Sequence, residues 1–229
     1  MKILALESSA KACSVAILDG ETLLGEVFLQ NERTHSENLL PAVHQLFGDV
    51  ELRLADMDKI AVAIGPGAFT GLRIAAATAK GLAYATDKPL VGVSTLEAMA
   101  YGAKDIASGV LCPVMDARRA EVYHALFSVE ENKVIRLIED RAVSVEQMFA
   151  ETKEKVTLLG DGAALCADWA KERGILFDLL PEERIYQRAY GVGLLAQTKE
   201  GQSVHDVNPR YIRPSSAEKE RMEKMGTSQ

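Results

Sequence analysis

The stretch IGPGAFTGLRIAAATAKGLAYAT, Ile64 to Thr86, decides how this chain folds. It opens as the end of an apolar strand, turns on Gly65-Pro66-Gly67 and continues as a helix. The free N–H groups and positive dipole end of a helix start favour an anion. Two nucleotide motifs nevertheless fail at their specific positions. A Walker loop needs Lys and then Ser or Thr after its last glycine, and Leu72-Arg73 follow Gly71. A dinucleotide loop needs a glycine where Thr70 stands. A tight strand-to-helix turn, with Pro66 fixing φ and glycines free to take positive φ, accounts for the same residues. Both readings stand on sequence alone.

The helix itself says more. From Phe69 to Thr86 its only charges are Arg73 and Lys80, seven apart and so on one narrow face. Leu72, Ala75, Ala79 and Leu82 suit a sheet-facing side, leaving Ala76, Ala77, Thr78, Gly81 and Ala83. A helix apolar nearly all round is buried nearly all round. One sheet covers one side, so the other needs the helix expected at 36–47 or a second chain. We expect a second chain, because sizeable apolar patches mark association.

Working outward, residues 2–6 read as a buried strand, and 12–18 and 21–29 as two more joined at Asp19-Gly20. THSENLLPAVHQLFGD reads as a helix that Gly48 ends, with Pro41 near its start. A strand at 59–64 leads into the opening stretch. LVGVS is a further strand, and a helix follows it with Ser94 and Glu97 as a capping box. From Gly109 the order begins again: strands GVLCPVMDA, AEVYHALFSV and KVIRLIED, helix SVEQMFAET, strand VTLLGDG, helix AALCADWAKERG. The expected fold is α/β, two duplicated βββαβα lobes around a cleft. The expected boundaries are 1–106, 107–214 and a charged tail at 215–229, set apart by the prolines and serines of VNPRYIRPSSAE.

The chain has 229 residues, 48% apolar and 26% charged, with a net charge of −7. That balance argues against strong nucleic-acid binding by the isolated chain, although Arg118-Arg119 and Arg210/Arg213 could touch RNA within a larger assembly. Three separated cysteines without CxxC spacing fit a reducing, cytoplasmic setting, and no stretch reads as a leader or a membrane span. His35, His44, His124 and His205 form no HxxxH or HExxH pair, and no GxSxG elbow surrounds Ser8, Ser9 or Ser14. Glu7 and Asp116 end equivalent strands of the two lobes. They could hold a Mg²⁺-nucleotide in the cleft, or be plain strand-end acids.

ILALESSAKACSVAIL, RTHSENLLPAV, AIGPGAFTGLRIAAATAKGLA and PRYIRPSSAEK together resemble the bacterial TsaB (YeaZ) family, accessory proteins of tRNA threonylcarbamoyladenosine biosynthesis. The resemblance implies an actin/hexokinase/Hsp70-like (ASKHA, RNase H-like) fold. It implies a catalytic paralogue, TsaD, a third protein, the ATPase TsaE, and a homodimer when the chain is alone. tRNA would be reached only through the complex. It also implies pairing through helices at 36–47 and 69–85, and from it the expected interface residues are Leu39, Leu40, Val43, Phe69, Arg73, Ala76, Ala77 and Lys80. The metal-binding HxxxH of TsaD-like proteins is broken here, since Leu39 stands four residues after His35. ESSAKA replaces the glycine-containing phosphate loop. The expectation is therefore a scaffold subunit with no catalytic residue, metal or cofactor of its own. An ATPase or phosphotransferase using Glu7 and Asp116, or a metalloprotease, is the alternative.

Overall fold

The computed structural model describes residues 1–152 and 154–213. Two five-stranded mixed sheets carry it. The first holds β1 (Lys2–Glu7), β2 (Cys13–Asp19), β3 (Thr22–Leu29), β4 (Lys59–Gly65) and β5 (Leu90–Ser94) in the order β3-β2-β1-β4-β5. The second holds β6 (Gly109–Asp116), β7 (Glu121–Glu130), β8 (Lys133–Ser144), β9 (Val156–Leu159) and β10 (Phe177–Leu179) in the order β10-β9-β6-β7-β8. The two orders are the same when read from the meander end, and in each sheet the first strand pairs antiparallel with the second and parallel with the fourth. The duplicated βββαβα order expected from sequence is present, and each lobe goes on to a fifth strand.

Local chemistry sets the elements. The β2–β3 hairpin pairs Asp19 with Thr22, so its central residues are Gly20-Glu21, one place later than expected, with Gly20 at φ 57°. Helix α1 (His35–Asp49) starts at Thr34, whose N–H donates to the Glu37 carboxylate at 2.9 Å. It runs through Pro41 and Gly48 and is capped at Val50. Helix α2 is Phe69–Thr86, and α3 (Thr95–Ala103) begins under Ser94, whose Oγ accepts from Glu97 N at 3.2 Å. In the second lobe α4 (Val145–Glu151) is capped by Ser144 in the same way, and α5 (Ala163–Lys171) follows β9.

Helices α1 and α2 cover one face of the first sheet, burying Leu39, Ala42, Val43, Leu46, Ala75, Ala79 and Ala83 against Leu4, Leu6, Val15 and Val62. The other face is covered in part by Ala98 and Tyr101 of α3 and in part by a late segment of chain. After the short helix α6 (Glu182–Ile185), helix α7 (Ala189–Gln197) places Val192, Leu194 and Leu195 against Ile3, Ala16, Leu18 and Val91. Glu26 on β3, whose side chain is 5% exposed, holds its start: the carboxylate accepts from Tyr190 N, from Ser14 Oγ at 2.7 Å and from Arg188 Nε at 3.0 Å. The lobes also share an apolar seam, in which Leu96, Met99 and Ala100 of α3 meet Leu111, Met115, Phe127 and Leu159. Beside it Ser94 Oγ donates to Asp140 at 2.6 Å, and Arg136 pairs with both Asp140 and Glu97.

Candidate functional site

The glycine turn of the opening stretch is used for backbone packing. The Gly65–Pro66 peptide is cis, Ala68 N donates to Ser9 O at 2.6 Å, and Ser8 Oγ donates to Gly71 O at 3.0 Å. A methyl group on Gly67 would meet Ser9 O, one on Gly71 would meet Ser8 O, and one on Gly65 would meet Arg210 O. These glycines let α2 clamp onto the β1–β2 turn, and Ala68 N is already bonded to the chain itself. The second lobe repeats the device after β9, where Gly160, at φ 106°, and Gly162 lie against the backbone of Val114, Met115 and Asp116.

The clamp fixes which face of α2 points outward. Arg73, Ala77, Gly81 and Tyr84 are exposed, Tyr84 by 79%. On α1, Leu40 is 53% exposed. Leu39, Val43 and Ala76, also expected to meet a partner, are buried inside the first lobe. The reason is phase: the α1 stripe Leu39, Ala42, Val43 and Leu46 faces the sheet, and Ala76 lies on the buried flank of α2 beside Leu72, Ala79 and Ala83.

Phe69, Arg73 and Lys80 have a different neighbour. The Tyr211 ring stacks on Phe69 with centroids 4.1 Å apart, and its hydroxyl accepts from Arg73 Nε at 2.9 Å. Lys80 Nζ donates to Asn208 Oδ1 at 3.0 Å. Val207 is sunk in the first lobe's core, and Arg210 N donates to Ile64 O at 2.7 Å. Residues 207–213 thus form a strap along α2. The sequence bounds placed this stretch at the end of the second lobe, 107–214, whereas it packs on the first. Its signals were the apolar residues Val207, Tyr211 and Ile212 among the prolines. The charged segment expected at 215–229 lies outside the described residues.

Of the two cleft acids, Glu7 is 1% exposed and Asp116 is exposed. Burial pushes the Glu7 carboxyl up to about 7; the hydrogen bond from Ser9 N opposes this and the Asp161 carboxylate adds to it. Asp161, missed from sequence although it sits in the Gly-Asp-Gly turn after β9, is also raised by burial, against a 2.8 Å bond from Gln187 Nε2 and with Asp116 adding to the rise. Asp161 is thus electrostatically linked to both expected acids. Asp116 itself accepts from Arg118 N at 2.7 Å. Ser9 Oγ and Gln187 Oε1 are buried without a hydrogen-bond partner among the described residues. His35 Nε2 lies 2.8 Å from Ala10 O, so its ring is tied to the β1–β2 turn. No cluster of three acids, histidines or cysteines placed to hold a metal ion occurs among the described residues, and no described helix is long and apolar enough to cross a membrane.

A family model described as "TsaD: tRNA N6-adenosine threonylcarbamoyltransferase" matches residues 22–198. A Bacillus subtilis protein described as "tRNA threonylcarbamoyladenosine biosynthesis protein TsaB" is 31% identical over 225 residues, 95% of this chain and 96% of that one. Its Escherichia coli namesake is 35% identical over 182 residues, 77% and 78% of the two chains. The solved structure of YeaZ from Pseudomonas aeruginosa superposes with a TM-score of 0.77 at 26% identity, covering 92% of this chain and 99% of that one. Component A of the Acidaminococcus fermentans (R)-2-hydroxyglutaryl-CoA dehydratase, at TM-score 0.50 and 10% identity over 85% and 97% of the chains, is a likeness of fold alone. Together these matches give the duplicated lobes as the actin/hexokinase-like ASKHA fold.

Proposed function

The chain belongs to the TsaB (YeaZ) family, and from that premise we propose that it serves tRNA threonylcarbamoyladenosine biosynthesis as a scaffold subunit. It docks TsaD through the outer face of α1 and α2 and supports transfer of the threonylcarbamoyl group to the adenosine beside the anticodon. TsaE joins the same assembly, and the face pairs two copies of this chain when TsaD is absent. The observation that carries this reading is the face itself: Ala77, Gly81 and Tyr84, with Leu40 alongside, present small and apolar surface that neither lobe nor the strap covers. Small side chains let a second helix come close, and a tyrosine supplies the anchor that interfaces favour.

The rival reading, an ATPase closing its lobes on a nucleotide, finds less support. Its phosphates would meet the Glu7 and Asp161 carboxyls, and the apolar seam of α3 resists a hinge.

The test is reconstitution of TsaD and TsaE with and without this chain, scoring modified tRNA. Ala77→Glu should abolish co-elution with TsaD, since a charge enclosed by the partner without a counter-ion costs several kcal/mol. Its own fold should keep its stability, because Ala77 is exposed. Co-elution that survives Ala77→Glu places the contact elsewhere.

A further inference from the structure

The strap does more than lie along α2. Past Tyr211 it crosses to the second lobe, where Arg213 donates to Ala117 O at 3.4 Å and pairs with Glu121 at the base of the β6–β7 hairpin. One continuous surface therefore joins the Phe69–Tyr211 stack to the hairpin tip. The tip is unusual: Arg118, Arg119 and Ala120 have φ of 64°, 58° and 57°, three consecutive left-handed residues without a glycine. That strained turn holds two arginines out in solvent. Among the described residues, Arg118, Arg119 and Arg210 make no ion pair. Tyr211 is 38% exposed, with Phe69 on one face of its ring and the Arg73 guanidinium at its hydroxyl. In a chain of net charge −7, Arg118, Arg119 and Arg210 flank this aromatic step, with Asp116 beside Arg118 and Glu121 held by Arg213.

We propose that this surface binds single-stranded or loop RNA directly, the base stacking at Tyr211 and the phosphates meeting Arg118, Arg119 and Arg210. Bases splayed from a loop stack on aromatic rings, and arginines follow the backbone. The choice of RNA rests on the family reading above, but it goes beyond a scaffold that reaches tRNA only through its partner.

The test is fluorescence anisotropy of the full chain with a labelled RNA hairpin carrying a single-stranded loop, titrated with KCl. Saturable binding at low salt is expected, tighter than to a fully paired duplex of equal length. The double variant Arg118→Asn/Arg119→Asn keeps residues that tolerate left-handed backbone, and should make the slope of log affinity against log salt shallower by about 1.4. Tyr211→Ala should weaken binding about tenfold, and Tyr211→Phe should retain it. Absence of saturable binding, or an unchanged salt slope in the double variant, overturns the proposal. So does loss of TsaD co-elution in the double variant with RNA binding intact, which would mean the patch meets acidic protein. Ala77→Glu separates the two readings: it should lose TsaD and keep RNA. If the wild-type chain fails to pair with TsaD yet binds the hairpin, the scaffold fails and this surface stands.

Discussion

Two glycines on one helix should respond to alanine in opposite directions. Gly81 of α2 is exposed, and a methyl carbon built there meets nothing within 4 Å. Gly81→Ala therefore gains the full helix-propensity difference, about 1 kcal/mol. Gly71, ten residues earlier, faces the β1–β2 turn. A methyl carbon there comes nearer to Ser8 O than the 3.0 Å that real Cβ atoms keep, and the obstacle is backbone on both sides. Relief requires α2 to lift away, at a cost of roughly 1–3 kcal/mol for overpacking. The Ser8 Oγ–Gly71 O bond is lost as well, worth about 1 kcal/mol. Against the same propensity gain of about 1 kcal/mol, Gly71→Ala should lose about 2 kcal/mol net. For a chain of this length that is a melting temperature about 6 °C lower, with Gly81→Ala about 3 °C higher. Circular-dichroism melts and urea titrations of both variants against wild type read it directly. If the two alanines stabilise alike, α2 does not sit on Ser8, and the account of the glycine turn as a packing clamp is wrong.

Charge and burial give further expectations. The Glu7 carboxyl, raised to about 7, binds its proton more tightly folded than unfolded, so its contribution is complete below the ordinary carboxylate value and is lost as pH rises through about 7. Glu7→Gln should be more stable than wild type above pH 7 by on the order of 3 kcal/mol, a gap that closes towards pH 4. The difference between the two proteins is the quantity to follow, because buried His124, lowered to about 4, slopes the other way in the acid range. A gap independent of pH would show that Glu7 ionises normally. Glu26→Ala strips the acceptor from Arg188, Ser14 and Tyr190 N and should cost about 3 kcal/mol, with hydrogen exchange rising first in α7. Exchange that rises evenly over both lobes would remove Glu26 from its role as the anchor of α7.

The duplicated order was legible because its signals are local. Apolar runs of strand length, Ser94 and Ser144 as caps and a glycine after an aspartate all act within a few residues. What was hidden depends on distance along the chain. Nothing in AYGVGLLAQ states that α7 returns to Ile3 and Leu18, because helical periodicity gives a helix's phase but not its sheet. The same limit explains the interface residues. Leu39 and Leu40 are neighbours of equal hydrophobicity, one buried and one 53% exposed, and only the placement of α1 on the sheet separates them. Asp161 escaped because its effect on Glu7 acts across lobes that sequence treats as independent. The strap escaped because its place in the chain assigned it to the second lobe, whereas Val207 and Arg210 N give it a core contact and a strand-end bond in the first.

The return of α7 also dictates how the molecule can be made. During synthesis the first sheet emerges early, but the helix that closes its second face lies some 190 residues into the chain. Until the ribosome has delivered it, Ile3, Ala16, Leu18, Val91 and Val93 form an open greasy wall on the nascent polypeptide. The first lobe therefore lacks part of its core until α7 arrives. A message cut short before Ala189 would leave a sticky fragment for chaperones and proteases rather than a usable half-protein.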